Sequence, residues 1–562
     1  MRYLIIFPVF FAILIACQAQ YTPDRTKKDQ IFPDTDSRLN YSKAITAEQH
    51  KLIEKFRAAL DSQDHDAITA LINLLDSSKK NHDLVLRIAS ELLLSQKMLD
   101  LAVLALKSIE KQNKEDYQSI AYACSQLSNH RCAVEALFNF VRFTESEQSL
   151  FDSKLKNLLW NHLLASNEEI YPQQPGFDNE LIHFSKGFVE ADSLDKKREL
   201  WIKWKKINSA HSFAIAPPLA LQLVEDFSSP NIAVILPLSG DFQEAGKSVR
   251  DGIVTSSFYE AQGLRGTLNF YDSEAQSMVS ILEKISKSNT THILGPLLKE
   301  NCHIFARISK EISSPILLLN YVSENIQKSK HQYSLGLSIG HEVDALMKEI
   351  NQEAFNNILI VSNNSSWASR SKNLFEDKWL KTITSANFEN PSDITGSIST
   401  AVGVETSNSR KESIDKIIRR PIKFLPRTRT DIDAIIAFIS PSESETLESI
   451  LKFHFLEETP VFASSQSELH NRTFSELKVR SLEFPFISQK NNANVFLKDQ
   501  FELRTRFNQE LFALGMDAFR LLQLIEIFRV APDLKIHGQT GIVQLGEQQN
   551  FFRKLRVIEN KI

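Results

Sequence analysis

The sequence Asn-Ile-Ala-Val-Ile-Leu-Pro at residues 231–237 decides the fold of the larger part of this 562-residue chain. An unbroken apolar run closed by a proline is typical of a parallel strand that is buried on both faces. The next segment, residues 243–261, has the pattern of a helix, and a second strand is predicted near residues 268–271. This order of strand, helix and strand predicts a doubly wound α/β sheet.

The same alternation continues toward the C-terminus. Short apolar runs predict further strands at residues 292–294, 316–319, 358–361, 434–439 and 461–463. Roughly 330 residues follow the first strand, which is too many for one sheet unit. We therefore expect two α/β lobes within residues 229–562.

The glycine distribution places a domain boundary near residue 228. Only Gly176 and Gly187 precede the first strand, and the other fourteen of the sixteen glycines follow it. So low a glycine content favours helices over glycine-rich turns. Amphipathic runs separated by short polar breaks predict that residues 41–228 are helical.

A weak repeat runs through this helical part. The segments around Ala102 and Ala133 resemble each other and lie 31 residues apart, close to the period of tetratricopeptide-like helix pairs. We therefore expect an all-α, tetratricopeptide-like solenoid at residues 41–228. The alternative is a generic helical bundle in which the alanines recur by chance.

The N-terminus has the pattern of an export signal. Arg2 precedes an apolar run of about 13 residues, shorter than the ~20 that a membrane-spanning helix needs. The run ends in Leu-Ile-Ala-Cys at residues 14–17, which resembles a bacterial lipobox. We expect a signal peptide at residues 1–16, cleavage before Cys17, and acyl chains on Cys17 that anchor the chain to a membrane. A chance cysteine after an ordinary signal peptide is the alternative.

The segment after the signal predicts a tether. Residues 17–40 are polar, contain Pro23 and Pro33, and show no apolar period. In Gram-negative lipoproteins an aspartate directly after the lipidated cysteine usually marks retention at the inner membrane. Gln18 occupies that position here, which favours the outer membrane.

Composition and motifs argue against several functions. The formal net charge of −4 is too small to attract nucleic acid. Five residues separate Gly240 from Gly246, whereas a Walker loop needs four. The sequence contains neither Gly-x-Ser-x-Gly nor His-Glu-x-x-His. We predict that the protein is not an enzyme and has no catalytic residues, no cofactor and no metal site.

Three cysteines remain once Cys17 carries lipid. Cys124 and Cys132 flank a predicted helix–helix turn, so a disulfide between them is feasible in an oxidising compartment. Two buried free thiols are the alternative, because free cysteines are usually buried.

A basic cluster precedes the strand predicted at residues 434–439. Its members are Arg419, Arg420, Lys423, Arg427 and Arg429. One interpretation is a solvated loop; the other is a contact surface for an acidic protein or an anionic cell-wall polymer.

Several segments carry a family resemblance. Residues 235–240, Ile-Leu-Pro-Leu-Ser-Gly, look like the opening of the type I periplasmic-binding-protein fold. Further matching pieces lie at residues 293–301, 429–434, 512–518 and 538–541, so that the resemblance covers most of residues 231–562. Together with the lipobox and the helices, they are similar to the LpoA family of outer-membrane lipoproteins that activate penicillin-binding proteins.

This resemblance implies a fold and a role. The second half would form two Rossmann-like lobes and contact a class A penicillin-binding protein, a peptidoglycan synthase whose transpeptidation it stimulates. The helical half would span the periplasm from the outer membrane. No small-molecule ligand is expected.

A purely structural periplasmic scaffold is one competing interpretation. The main one is a periplasmic solute-binding receptor, whose lobes close on a small ligand. In such folds the loops after the strands line the cleft. The residues at those positions here are Ser239, Gly240, Gly295, Pro296, Asn320 and Tyr321. They offer few convergent aromatic or charged groups, which favours the activator interpretation.

Overall fold

A computed structural model of the chain describes residues 46–559, apart from residues 78–81, 145–152, 167–177, 192, 261–265, 421–422, 426, 470–473, 475–476 and 490. The predicted signal peptide (1–16), Cys17 and the predicted tether (17–40) lie outside the described residues.

The chain divides into a helical unit and an α/β unit. The helical unit contains the described residues up to Ala191, then Lys196–Phe227, and also Ile525–Leu534 from near the C-terminus. The α/β unit contains Ser228–Leu524 and the described residues from Lys535 onward. The sequence did not indicate that Ile525–Leu534 packs with the helical unit.

The first unit consists of successive helices. They are α1 (Ala47–Asp61), α2 (His65–Ser77), α3 (Asp83–Ser95), α4 (Leu99–Lys107), α5 (Lys114–Gln126), α6 (His130–Thr144), α7 (Ser153–Ala165), α8 (Asn179–Glu190), α9 (Leu194–Ile207), α10 (Ser212–Ile215) and α11 (Leu219–Asp226). From α1 to α4, each helix contacts the next, or the next but one, along the chain. This is the neighbour pattern of stacked helix pairs. The predicted all-α, tetratricopeptide-like fold is confirmed.

Small residues allow these helices to approach closely. Ala102, Ala105, Ala123 and Ala133 are fully buried, and the last three lie on α4, α5 and α6, which pack in series. The repeat recognised in the sequence therefore marks core positions.

Aromatic side chains fill the later part of the helical unit. Trp160 and Phe188 are fully buried, and the rings of Phe184 and Trp204 stack with their centroids 5.0 Å apart. In the same unit, the side-chain amide of Asn161 donates a hydrogen bond to the carbonyl oxygen of Val530 at 2.8 Å. That contact ties α7 to the segment Ile525–Leu534.

The first lobe of the α/β unit is a five-stranded parallel sheet. Its strands are β1 (Asn231–Leu236), β2 (Thr267–Asp272), β3 (His292–Leu294), β4 (Ile316–Leu318) and β5 (Gln332–Ser334), in the spatial order β2-β1-β3-β4-β5. The helices between them are α12 (Gln243–Glu260), α13 (Met278–Ser286) and α14 (Lys299–Ile308). All residues of β1 after Asn231 are buried, as the opening apolar run predicts.

The second lobe is a six-stranded sheet. Its strands are β6 (Asn357–Asn363), β7 (Thr382–Phe388), β8 (Ala434–Phe438), β9 (Val461–Ala463), β10 (Val479–Glu483) and β14 (Arg556–Glu559), in the order β14-β10-β9-β8-β6-β7. Only β14 runs antiparallel to its neighbour. The helices are α15 (Ile339–Asn351), α16 (Ser366–Lys378), α17 (Ile394–Ala401), α18 (Val404–Ile418), α19 (Pro441–Ser444), α20 (Leu447–Phe453), α21 (Pro485–Ser488) and α22 (Asn492–Gln500).

The chain ends with a long helix and a small antiparallel sheet. Helix α23 (Arg506–Val530) precedes β11 (Lys535–His537), β12 (Ile542–Leu545) and β13 (Phe551–Lys554). Helices α12 and α23 approach closely at Gly252. A Cβ at this position would lie 2.0 Å from the carbonyl oxygen of Phe512 on α23. Two parallel-sheet lobes confirm the predicted fold class.

Candidate functional site

The six residues predicted to line a cleft lie at one edge of the first sheet. Strand β3 pairs with both β1 and β4, and all three run parallel, so their carboxyl ends meet at that edge. Ser239 and Gly240 follow β1, Gly295 and Pro296 follow β3, and Asn320 and Tyr321 follow β4.

The loop after β3 is closed against the body of the lobe. A Cβ at Gly295 would lie 2.2 Å from the carbonyl oxygen of Ile235, and the φ of Gly295 is +102°, so glycine is required there. Pro296 is buried, and its carbonyl oxygen accepts a hydrogen bond from the thiol of Cys302 at 3.1 Å. Burial raises the pKa of that thiol to about 12. This loop therefore packs inward and presents no polar side chain to a ligand.

Tyr321 is bonded to the chain's own backbone. Its hydroxyl donates to the carbonyl oxygen of Phe551 at 2.6 Å, and the carbonyl oxygen of Gly336 lies 3.3 Å from it. Burial raises the pKa of Tyr321 to about 12, although nearby Arg553 opposes this shift, so the phenol stays neutral. Its ring meets that of His341 edge-on at 5.5 Å.

Asn320 is occupied in the same way. Its side-chain amide donates to the carbonyl oxygen of Leu297 at 3.3 Å, and its side-chain oxygen accepts from the backbone amide of Tyr321 at 3.0 Å. Both polar ends of the side chain are therefore used within the protein.

The loop after β1 is organised by a carboxylate at the end of β2. Asp272 accepts hydrogen bonds from the backbone amides of Leu238 and Glu274, each at 3.0 Å. Burial alone would raise the pKa of Asp272, but these bonds and one from Ser239 outweigh it and leave the pKa below its ordinary value. Ser239 thus holds a carboxylate of its own chain, and exposed Gly240 contributes no side chain.

Sequence reasoning missed a buried ionic cluster in the second lobe, which we call the Arg506 cluster: Arg506, Glu483, Glu510 and Glu342. The Arg506 guanidinium donates to both carboxylate oxygens of Glu483, at 2.8 and 2.5 Å, and to Glu510 at 2.8 Å. Glu342 accepts from the hydroxyl of Ser465 at 2.9 Å. These residues come from α15, the end of β10 and the start of α23, so no local motif could have indicated them.

Burial sets the ionisation of this cluster. Burial raises the pKa of Glu510 to about 7, with Arg506 opposing the shift. It raises that of Glu342 too, and Arg553 and Ser465 offset only part of the effect. For Arg506, burial lowers the pKa, but the bond to Glu483 and the attraction of Glu483, Glu510 and Glu342 together outweigh this and leave the pKa above its ordinary value. Arg506 is therefore a permanent cation among carboxyl groups of differing acidity.

A pocket of about 230 Å³ lies beside β5. It is lined by Val322, Ser323, Glu324, Ile326, Gln327, Lys328, Gln548, Gln549 and Asn550. The Lys328 ammonium donates to the side-chain oxygen of Asn550 at 2.7 Å, the hydroxyl of Ser334 at 3.0 Å and the carbonyl oxygen of Gln549 at 3.3 Å. Burial lowers the pKa of Lys328 to about 7. Two of these bonds thus hold the loop between β12 and β13, and the third is made to β5.

In the helical unit, Cys124 and Cys132 flank the turn between α5 and α6. Their sulfur atoms are bonded, and their Cα atoms are 5.7 Å apart. Beside this turn, His162 lies 2.7 Å from the hydroxyl of Ser125 and 3.0 Å from His130, ring nitrogen to ring nitrogen. These contacts fasten α5, α6 and α7 together.

Among the described residues, no cluster of three or more histidine, cysteine, aspartate or glutamate side chains has an arrangement that could hold a metal ion. No helix in the described part of the chain is both long and apolar enough to cross a bilayer.

The two parallel α/β lobes that follow the helical solenoid have a periplasmic-binding-protein-like fold. The loops at the predicted cleft are bonded largely to the chain itself. The sequence profile described as "LppC putative lipoprotein" matches residues 181–561. The chain therefore belongs to the LppC lipoprotein family.

Similar proteins carry one name. A "Penicillin-binding protein activator LpoA" from Vibrio antiquarius is 23% identical over 436 residues, which cover 74% of this chain and 72% of the relative. The protein of that name from Aliivibrio fischeri is 26% identical over 372 residues, 63% of this chain and 60% of the relative.

Solved structures show the same fold. Two structures of LpoA from Haemophilus influenzae match with TM-scores of 0.53 and 0.50. Each is 16% identical in sequence, and each match covers 94% of this chain and 96% of the other. At this identity the match describes the fold alone, and it extends over both units.

Proposed function

We propose that this chain is an outer-membrane lipoprotein that binds a class A penicillin-binding protein and activates it, and so regulates peptidoglycan crosslinking from the periplasmic face of that membrane. One observation carries the proposal: membership of the lipoprotein family, with relatives named as penicillin-binding protein activators that align over 60–72% of their length. The protein acts in this view as a regulator and not as a catalyst.

The state of the cleft loops supports an activator over a solute receptor. A receptor needs free polar groups that converge on its ligand. Here Tyr321 and Asn320 are bonded to backbone groups of the chain, and Gly295 and Pro296 are packed inward. The fold of a receptor is kept, while the side chains that would recognise a solute serve the chain's own structure.

The anchor follows from the N-terminal sequence. Acyl chains on Cys17 would hold the protein at the membrane, and residues 17–40 would connect the lipid to the helical unit. Metabolic labelling with a radioactive fatty acid tests this step. We expect label on the wild-type chain and none on Cys17→Ser; label on both would contradict acylation at Cys17.

The decisive experiment is a titration of the soluble chain, beginning at Gln18, into each purified class A penicillin-binding protein of the same organism. The readouts are binding and the number of peptide crosslinks formed from lipid-linked precursor. We expect binding and more crosslinks with one synthase. If the chain neither binds nor stimulates any of them, the proposal is wrong, and the cleft should then be screened for small ligands.

A further inference from the structure

Helix α18 is unusual because it has no buried face. None of the fifteen described residues of Val404–Ile418 is buried. Helices of this length are marginal in water on propensity alone and normally depend on tertiary packing of an apolar face. The helix contacts its neighbour α17, and the hydroxyl of Ser407 accepts a hydrogen bond from the backbone amide of Arg427 at 3.1 Å. Its residues are otherwise half-buried or exposed.

This open surface carries isoleucines. Ile414, Ile417 and Ile418 are 39%, 80% and 53% exposed, and spacings of three and four residues bring them to one side of the helix. After the helix, Phe424 and Leu425 are also exposed. A solvated helix face is normally charged or polar, so clustered exposed apolar side chains indicate an interaction surface.

Unpaired cations surround the isoleucines. Residues 404–429 contain eight Lys or Arg and three Asp or Glu, whereas the whole chain has a net charge of −4. Lys411 pairs with Asp415, and Arg429 pairs with Asp431. The other six, which form no ion pair with any described residue, are Arg410, Lys416, Arg419, Arg420, Lys423 and Arg427.

Ordinary helix chemistry explains only part of this pattern. Cations at a helix C-terminus are favoured by the helix dipole, which accounts for Arg419 and Arg420. It does not account for three exposed isoleucines beside them. Arginine next to aliphatic side chains is instead typical of the centre of a protein–protein interface.

We propose that α18, together with Arg419 and Arg420, is the surface on which the penicillin-binding protein docks, through a region of that partner that is acidic and partly apolar. The inference rests on the proposed function and adds the location of the contact. Charge complementarity determines the class of partner, because the unpaired cations require carboxylates opposite them. A protein fits better than an anionic membrane, because a protein surface can place carboxylates opposite Arg419 and Arg420 and other groups opposite the acidic residues of the helix. A lipid surface presents phosphates to all of them alike.

The test uses the soluble chain and the synthase that it activates. The charge variant is Arg419→Glu with Arg420→Glu, and the apolar variant is Ile417→Ser with Ile418→Ser. The control is Lys203→Glu with Lys206→Glu, an equal charge change at exposed positions of α9, a helix that buries Trp201 and Trp204 on its other side. Since α18 buries no residue and both control positions on α9 are exposed, all three proteins should fold like wild type, which circular dichroism checks.

We expect each α18 variant to lose affinity about tenfold or more, and crosslink stimulation in parallel, while the control stays within about twofold. Wild-type affinity should also fall severalfold between about 50 and about 300 mM NaCl, because the cations are exposed. This salt dependence involves no substitution and does not depend on how a variant folds.

Three results would overturn the inference. Wild-type affinity in both α18 variants would refute the location and leave the activator function standing. Failure of the wild-type chain to bind any class A synthase would refute both. Salt-dependent co-sedimentation of the wild-type chain with phosphatidylglycerol vesicles, lost in the charge variant while synthase binding persists, would assign the surface to lipid.

Discussion

Replacing Arg506 by methionine should severely destabilise the α/β unit. Arg506 is 12% exposed and makes three hydrogen bonds, two to Glu483 and one to Glu510. Glu483 is fully buried. Methionine fills similar volume, so the packing changes little, but two buried carboxyl groups lose their cation.

The magnitude follows from the burial of Glu483. Removing one partner of a buried ion pair leaves an uncompensated charge and costs about 3–5 kcal/mol. Most of this cost should come from Glu483, because Glu510 can take up a proton near neutral pH. Adding Glu483→Gln to Arg506→Met removes the orphaned charge and should recover about half of the lost stability.

Differential scanning calorimetry of the soluble chain measures the effect. We expect Arg506→Met to lower the unfolding temperature by at least about 5 °C. The matched control is Arg504→Met, because Arg504 lies two residues away, is 81% exposed and contacts an exposed Glu502 at 3.4 Å. It should change stability by less than about 0.5 kcal/mol. Equal melting of the two variants would refute the reasoning.

Three further perturbations have defined outcomes. Gly252→Ala should lower the free energy of unfolding by about 3 kcal/mol, because the new Cβ would lie 2.0 Å from a carbonyl oxygen of α23. Gly187→Ala, whose Cβ would have no described atom within 4 Å, should raise it by about 0.5–1 kcal/mol. Urea unfolding compares the two variants. Tyr321→Phe loses a 2.6 Å hydrogen bond and should cost about 1–2 kcal/mol in the same assay; an unchanged midpoint would show that the bond contributes nothing. Glu510, with a folded pKa of about 7, holds a proton that the unfolded chain has lost, so its contribution to stability falls as pH rises from about 4.5 to about 7. The free energy of unfolding of Glu510→Gln, relative to that of wild type, should therefore rise by on the order of 3 kcal/mol as the pH increases across that window. A stability difference that does not change with pH would contradict the raised pKa of Glu510.

Some elements were predictable because their pattern is local. The apolar run of β1 is buried along its length, and the alanines of the helical repeat lie in the core. Strand β5 shows why others were missed: Gln332 and Ser334 are polar but fully buried. The side-chain amide of Gln332 donates to the carbonyl oxygen of Ala306 at 3.0 Å and lies 2.9 Å from the hydroxyl of Ser309. A buried polar residue whose hydrogen-bond partners lie far away along the chain cannot be distinguished from a surface residue in the sequence.

The sequence alone determined the type and order of the secondary-structure elements, the order of the two units and the two-lobed sheet architecture. Unbroken apolar runs mark the buried strands, burial repeats every 3.6 residues along the helices, and both patterns are local. The export signal and Cys17 remain predictions from the same source. Tertiary structure alone decided that Tyr321 bonds to Phe551, 230 residues away, and that Arg506 meets Glu483. Such contacts depend on the register between distant elements, and no local period records that register.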